Sequence, residues 1–154
     1  MSDRISEHVS FKEGVKSHTA TRLNIDNAPS SLDLINMKTI AEKVFEPLRK
    51  FVGGPIAINS FYRSPKLNSA IGGSTSSQHC SGRALDIDDK YGYKTNAEMF
   101  KYIQCNLDYD QMIWEFGDVN NPDWVHVSYV SEDVNRRRCL IAYKENGKTK
   151  YKVI

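Results

Sequence analysis

The sequence predicts an α+β fold in which N-terminal helices pack on a mostly antiparallel sheet. Three observations carry this expectation. Residues 31–51 place apolar side chains at helical spacing, and five later segments alternate or are rich in β-branched residues. Near the C-terminus an ENGK turn then invites a closing hairpin.

Taken in order, HVSFKEGVKSHTATRLNIDNAPS reads as a short extended piece and a small helix at 13–23, closed by DNAP. In SLDLINMKTIAEKVFEPLRKF, Leu34, Ile35, Met37, Ile40, Ala41, Val44, Phe45 and Leu48 follow the helical period. Ser30 or Ser31 supplies the N-cap, and Pro47 sits near a kink or the last turns. After GGP, the alternating IAINSFYR predicts a strand at 56–62. SPKLNSAIGG fits a short helix with Pro in its first turn and Gly at its end. RALDIDD gives a second strand at 83–88. In NAEMFKYIQCNL, Ala97, Phe100, Ile103 and Leu107 share a helix face. DQMIWEF, DWVHVSY and CLIAYK predict three more strands, and KTKYKVI folds back on the last of them.

A chain of 154 residues without repeats, low-complexity tracts or Pro/Gly-rich linkers is expected to form one domain over 1–154. Its 21 basic and 19 acidic groups leave a net charge of +2, which implies no field suited to nucleic acid. Arg136, Arg137 and Arg138 read as a solvated strand edge. Three cysteines, Cys80, Cys105 and Cys139, lack framework spacing and suggest a reducing compartment or no reliance on disulfides. No apolar run is long enough to span a membrane, and the first residues lack a signal-peptide core. The expectation is cytoplasmic synthesis, no membrane insertion and a monomer.

Of the four histidines, His8 and His18 have no acidic or cysteine neighbour at metal spacing. His79 stands in a Gly/Ser-rich turn, and Asp86 comes seven residues later inside a strand. Gly82 lets the chain reverse between them. In that strand Ala84, Asp86 and Asp88 share one face, and Leu85 and Ile87 the other. Asp86 therefore lies in a half-buried segment where an unpaired carboxylate is costly, and a cation is a natural partner. His126 is the third candidate, on one strand face with Trp124 and Ser128. If DQMIWEF and DWVHVSY pair across GDVNNP about a point between residues 120 and 121, Glu115 stands directly opposite His126. Directly opposed Cβ atoms lie about 4.5–5.5 Å apart.

Two histidines and a carboxylate with an open fourth position form the ligand set of catalytic zinc, which lowers the pKa of a bound water to about 7. A carboxylate must then take and return the proton. Glu115 is the first candidate, and a cross-strand ion pair is its alternative role. Asp123 is the second; it has the opposite strand parity to His126 but sits at a loop end. Cys80 comes directly after a ligand and reads as small packing. Asp88 and Asp89 are expected to face solvent or to hydrogen-bond the next turn.

Together SFYRSPKLN, SSQHCSGRALDID and WEFG…DWVHVSY resemble the zinc D-Ala-D-Ala carboxypeptidase (M15) family of peptidoglycan peptidases, most closely its small phage-type branch. The family pattern S-x-H-x-x-G-x-A-x-D is met by Ser77, His79, Gly82, Ala84 and Asp86, and its W-x-H element by Trp124 and His126. The resemblance covers at least residues 56–130. It implies the hedgehog/D-Ala-D-Ala-peptidase-like fold, with His79, Asp86 and His126 as zinc ligands. It gives Arg63 the role of holding a substrate carbonyl or carboxylate and stabilising the oxyanion, a task suited to a guanidinium fork. Ser77, Gln78 and Trp124 would line the peptide site or support the metal. Several relatives carry the base as Glu-x-x-His or Asp-x-x-His, which selects Asp123, whereas the hedgehog fold has a strand glutamate where Glu115 falls.

The resemblance thus implies a zinc metallopeptidase, a hydrolase acting on cell-wall stem peptides as carboxypeptidase or endopeptidase. Synthesis without a signal fits a bacteriophage endolysin or virion-associated enzyme for cell wall degradation. A rival expectation is a non-catalytic zinc module that binds peptidoglycan or a protein partner.

Overall fold

The computed structural model describes residues 3–154. A two-stranded ribbon, β1 (Arg4–Ser6) and β2 (Val9–Ser10), leads into α1 (Phe11–Val15) and α2 (His18–Leu23). The single helix expected at 13–23 is thus two. The break falls at Ser17, whose side chain accepts a hydrogen bond from the Ala20 N–H and starts a new helix. The long helix expected at 31–51 begins where Ser30 and Asp33 form a reciprocal capping box. It runs as α3 (Ser31–Ile40), widens into a π-type turn at Ala41–Phe45, and continues as α4 (Glu46–Val52). The widening immediately precedes Pro47, whose ring would otherwise clash with the carbonyl four residues back.

The main sheet combines β3 (Ala57–Ser60), β4 (Ala84–Asp88), β5 (Gln111–Glu115), β6 (Trp124–Ser128), β7 (Arg138–Glu145) and β8 (Lys148–Val153). Between them lie α5 (Pro65–Ala70), a 3₁₀ turn at Gln78–Ser81, and α6 (Asn96–Asn106). Strand order is β3-β4-β6-β5-β7-β8. All neighbours are antiparallel except β5 and β7. That exception arises because the link after β6 passes the start of β5, where the Arg137 and Arg138 N–H groups donate to the Tyr109 and Asp110 carbonyls.

The two faces of the sheet differ in purpose. Leu85, Ile87, Met112, Val125 and Val127 point to one side and bury against Met37, Ile40, Val44, Leu48, Phe100 and Ile103 of the helices. Full burial of each such side chain contributes about 1.5–3 kcal/mol. By strict alternation, Asp86, His126, Ile113 and Glu115 point to the other side, which no long helix covers. A well-packed face therefore makes a rigid floor for polar groups on the reverse. Among the described residues no helix is long and apolar enough to cross a membrane.

The β5–β6 register departs from the sequence expectation. Glu115 pairs with Trp124, and His126 pairs with Ile113. The hairpin closes tightly at Asp118–Asn121, where Asp118 Oδ1 accepts from the Asn120 and Asn121 N–H groups at 2.8 and 3.0 Å. This aspartate-capped turn moves the pairing by two residues. A two-residue slip preserves parity, so Glu115 and His126 still share a face as diagonal neighbours.

Candidate active site

His79 is held by the chain on both sides. It sits in the 3₁₀ turn with 1% of its surface exposed, and its Nδ1 lies 2.7 Å from the Phe61 carbonyl oxygen. A carbonyl only accepts, so Nδ1 carries the proton and Nε2 presents its lone pair. The Arg63 N–H donates back to the His79 carbonyl at 3.1 Å. Gly82, with φ of +73°, ends the turn; a Cβ there would stand 2.5 Å from the Asp33 carbonyl oxygen. Glycine is thus required for the reversal that carries the chain from His79 to Asp86.

β4 and β6 pair Asp86 directly with His126. His126 Nδ1 lies 2.9 Å from Asp86 Oδ1, and His79 Nε2 lies 3.3 Å from Asp86 Oδ2. The two imidazole centroids are 5.2 Å apart. One donor atom from each of the three residues falls within 4.8 Å of the others. Burial pushes the Asp86 carboxyl up, but the two imidazoles outweigh it and hold the group well below the ordinary carboxylate range. Burial pushes His79 down, toward the neutral form that a metal ligand requires.

These residues fit zinc. The buried Nε2 of His79 has no hydrogen-bond partner although it faces Asp86 and His126. Such an orphan is costly unless a cation completes it. Ligands about 2.0–2.1 Å from a tetrahedral zinc stand roughly 3.3 Å apart, close to the 2.9 and 3.3 Å separations between these donors. The Nδ1 bond from His79 to a backbone carbonyl also orients the ring, as the outer partners of ligating histidines do.

The cluster floors an open cleft of about 830 Å³ that also contains Arg63, Ser77, Gln78, Glu115 and Trp124. Glu115 is 8% exposed, and its carboxylate makes no hydrogen bond or ion pair with any described residue. Burial pushes its carboxyl up to about 7, with the nearby His126 acting in the opposite direction. The cross-strand ion pair, its alternative role on sequence grounds, does not form. Arg63 donates through Nη1 to Asn68 Oδ1 at 3.1 Å, while among the described residues its buried Nε has no partner and no carboxylate pairs with it. Ser77 Oγ accepts from the His79 N–H at 3.3 Å, and Gln78 Nε2 donates to Asp110 Oδ2 at 2.9 Å.

Asp123 is not brought to this cleft. It is exposed and lines a larger, separate groove of about 1010 Å³ with Phe100, Trp114 and Tyr143. That groove has greater volume but is lined by no histidine, whereas the smaller cleft contains the donor cluster. The parity that turns Trp124 and His126 inward turns Asp123 outward. Cys80 lies outside the donor cluster. Asp88 accepts from Asn96 Nδ2, and Asp89 accepts from the Gly92 N–H of the next turn. His8 meets Glu46 at 2.6 Å through the fold and, with its sequence neighbour Glu7, forms a second and largely exposed donor group away from the cleft.

Tyr151 and Arg136 are among the cleft residues that escape sequence reading. Tyr151 of β8 stands opposite Ala142, which stands opposite Glu115, so Tyr151 walls the cleft across a small residue. The turn chemistry predicts the β7–β8 hairpin, but not its place beside β5. Arg136, a solvated edge residue on sequence grounds, also lines the cleft and clamps Asp110.

The family model described as Peptidase M15 matches residues 7–128. No curated protein matches the chain.

Proposed function

The chain belongs to the Peptidase M15 family, and from that premise we propose that it is a zinc-dependent peptidase hydrolysing bonds in peptidoglycan stem peptides, as carboxypeptidase or endopeptidase. One observation carries the reading. A single cleft gathers the donors of His79, Asp86 and His126 and adds a buried, unpaired carboxylate, Glu115. A zinc ion held there would polarise a carbonyl and lower the pKa of water at the open position.

The protein's own groups divide the remaining work. His79, Asp86 and His126 hold the ion on a turn and two central strands, so its position is fixed before substrate arrives. Glu115, with its carboxyl pushed up to about 7, takes a proton from water and delivers it to the leaving amine nitrogen near neutral pH. Arg63 directs donors at the carbonyl oxygen, where negative charge develops. Trp124 and Ser77 flank the peptide. A non-catalytic module would gain nothing from keeping Glu115 buried and unpaired, which is costly. The proposed place of action is the cell wall, reached by phage-type release of a chain made in the cytoplasm.

Mass analysis of muropeptides incubated with the zinc-loaded protein tests the reading and names the bond. The expected result is a loss of mass corresponding to terminal D-Ala, or a cut within the stem or cross-link. Unchanged muropeptides with stoichiometric zinc bound would overturn it in favour of a binding module.

A further inference from the structure

Arg136 lies in the cleft but away from the metal cluster. Its guanidinium grips Asp110 through Nε at 3.1 Å and Nη2 at 2.8 Å, and its backbone N–H donates to the same carboxylate at 3.0 Å. Gln78 supplies a fourth bond to Asp110. A carboxylate has about four lone-pair sites, so Asp110, only 3% exposed, is saturated and faces inward. Arg136 is different. Its side chain is 51% exposed, Nη1 makes no bond to any described residue, and it borders the open cleft. Asp110 thus fixes the guanidinium while leaving donors aimed at whatever occupies the cleft. Planar donors held in place suit a carboxylate.

The position along the cleft gives the spacing. Asp110, the anchor, immediately precedes β5 and stands three residues before Ile113, which pairs with the metal-cluster residue His126. Three strand residues span about 10 Å, as do three residues of an extended peptide. We propose that Arg136 is a specificity residue that binds a free substrate carboxylate about three residues from the cleaved bond. The assignment rests on the proposal that stem peptides are the substrate. In a stem ending D-Ala-D-Ala, the terminal carboxylate is one residue from the last bond, within the province of Arg63. The α-carboxylate of the γ-linked D-glutamate is on the third residue before that bond, and is the group assigned to Arg136.

The test uses L-Ala-γ-D-Glu-L-Lys-D-Ala-D-Ala and the same peptide with that α-carboxylate converted to carboxamide. Calorimetry on zinc-loaded Glu115→Gln protein measures binding with turnover strongly slowed. The acid should bind about tenfold tighter than the amide or better, as a hydrogen bond to a charged group implies. Adding Arg136→Gln should abolish the preference, and Arg136→Lys should restore part of it. Equal affinity for the two peptides before Arg136 is changed would overturn the assignment. So would a preference that survives Arg136→Gln, an equal loss for both peptides, or no binding of either. Selective binding of the acid by a wild-type protein that leaves muropeptides uncut would refute the peptidase reading and leave the Arg136 site standing.

Discussion

Replacing Glu115 with glutamine should stabilise the metal-free protein, and only above a defined pH. The glutamate is 8% exposed without a partner, and burial moves its carboxyl from 4.5 to about 7. Below about pH 4 the group is protonated in both folded and unfolded chains and contributes no pH-dependent difference. Between 4.5 and 7 the folded protein retains a proton that the unfolded chain has released, so stability falls as pH rises. Above 7 both states are ionised and the full cost is present. At 1.36 kcal/mol per pKa unit that cost is about 3 kcal/mol. Glu115→Gln removes it. Denaturant melts with chelator present should therefore show the variant gaining about 3 kcal/mol on wild type between pH 4 and pH 8. In a domain of this length that corresponds to a shift of roughly 6–12 °C in Tm. Comparing two pH values cancels any packing difference between the side chains. A stability difference that is the same at both pH values would refute the argument that Glu115 is buried without compensation.

Zinc should bind in one equivalent to wild type and to Cys80→Ser but be lost from His126→Ala and Asp86→Ala, as read by elemental mass spectrometry; equal zinc in His126→Ala would remove it from the site. Glu115→Gln should lower kcat by about 10²–10⁴, while Asp123→Asn, altered in a different groove, should stay within a few-fold of wild type; the reverse pattern in a muropeptide assay would transfer the proton role to Asp123. Gly82→Ala should destabilise the fold by about 2 kcal/mol or more, because it combines a left-handed φ with a Cβ 2.5 Å from the Asp33 carbonyl oxygen. Wild-type-like thermal stability of that variant would mean the turn relaxes freely.

The parts of the site legible in the sequence are those governed by local rules. Strand parity puts Asp86 and His126 on the uncovered face, and a glycine marks the reversal after His79. These rules act over a few residues and survive whatever the rest of the chain does. The β5–β6 register differs from its expectation because it depends on where the turn closes, and the pairing centre expected between residues 120 and 121 gives the Asp118 cap no weight. An aspartate before Val-Asn-Asn is a turn signal, so that error has a readable remedy. Tyr151 and Arg136 have none. Both reach the cleft because β7 lies beside β5 in parallel, a tertiary choice that no local pattern encodes. The split of the first helix is likewise written in Ser17, a residue that caps as readily as it continues a helix.

The order of the strands separates what is fixed from what can be exchanged. The donor atoms rest on β4, β6 and the turn pinned to Phe61, all backed by the helical layer. The outer wall, with Thr149 and Tyr151, rests on an edge strand whose six residues are all exposed. Amide protons of β8 should exchange through local opening long before those of β4 and β6. Such a wall can be lengthened, shortened or recomposed without disturbing the metal's geometry. Within this architecture, the outer wall of the cleft is hung on the most replaceable strand of the sheet.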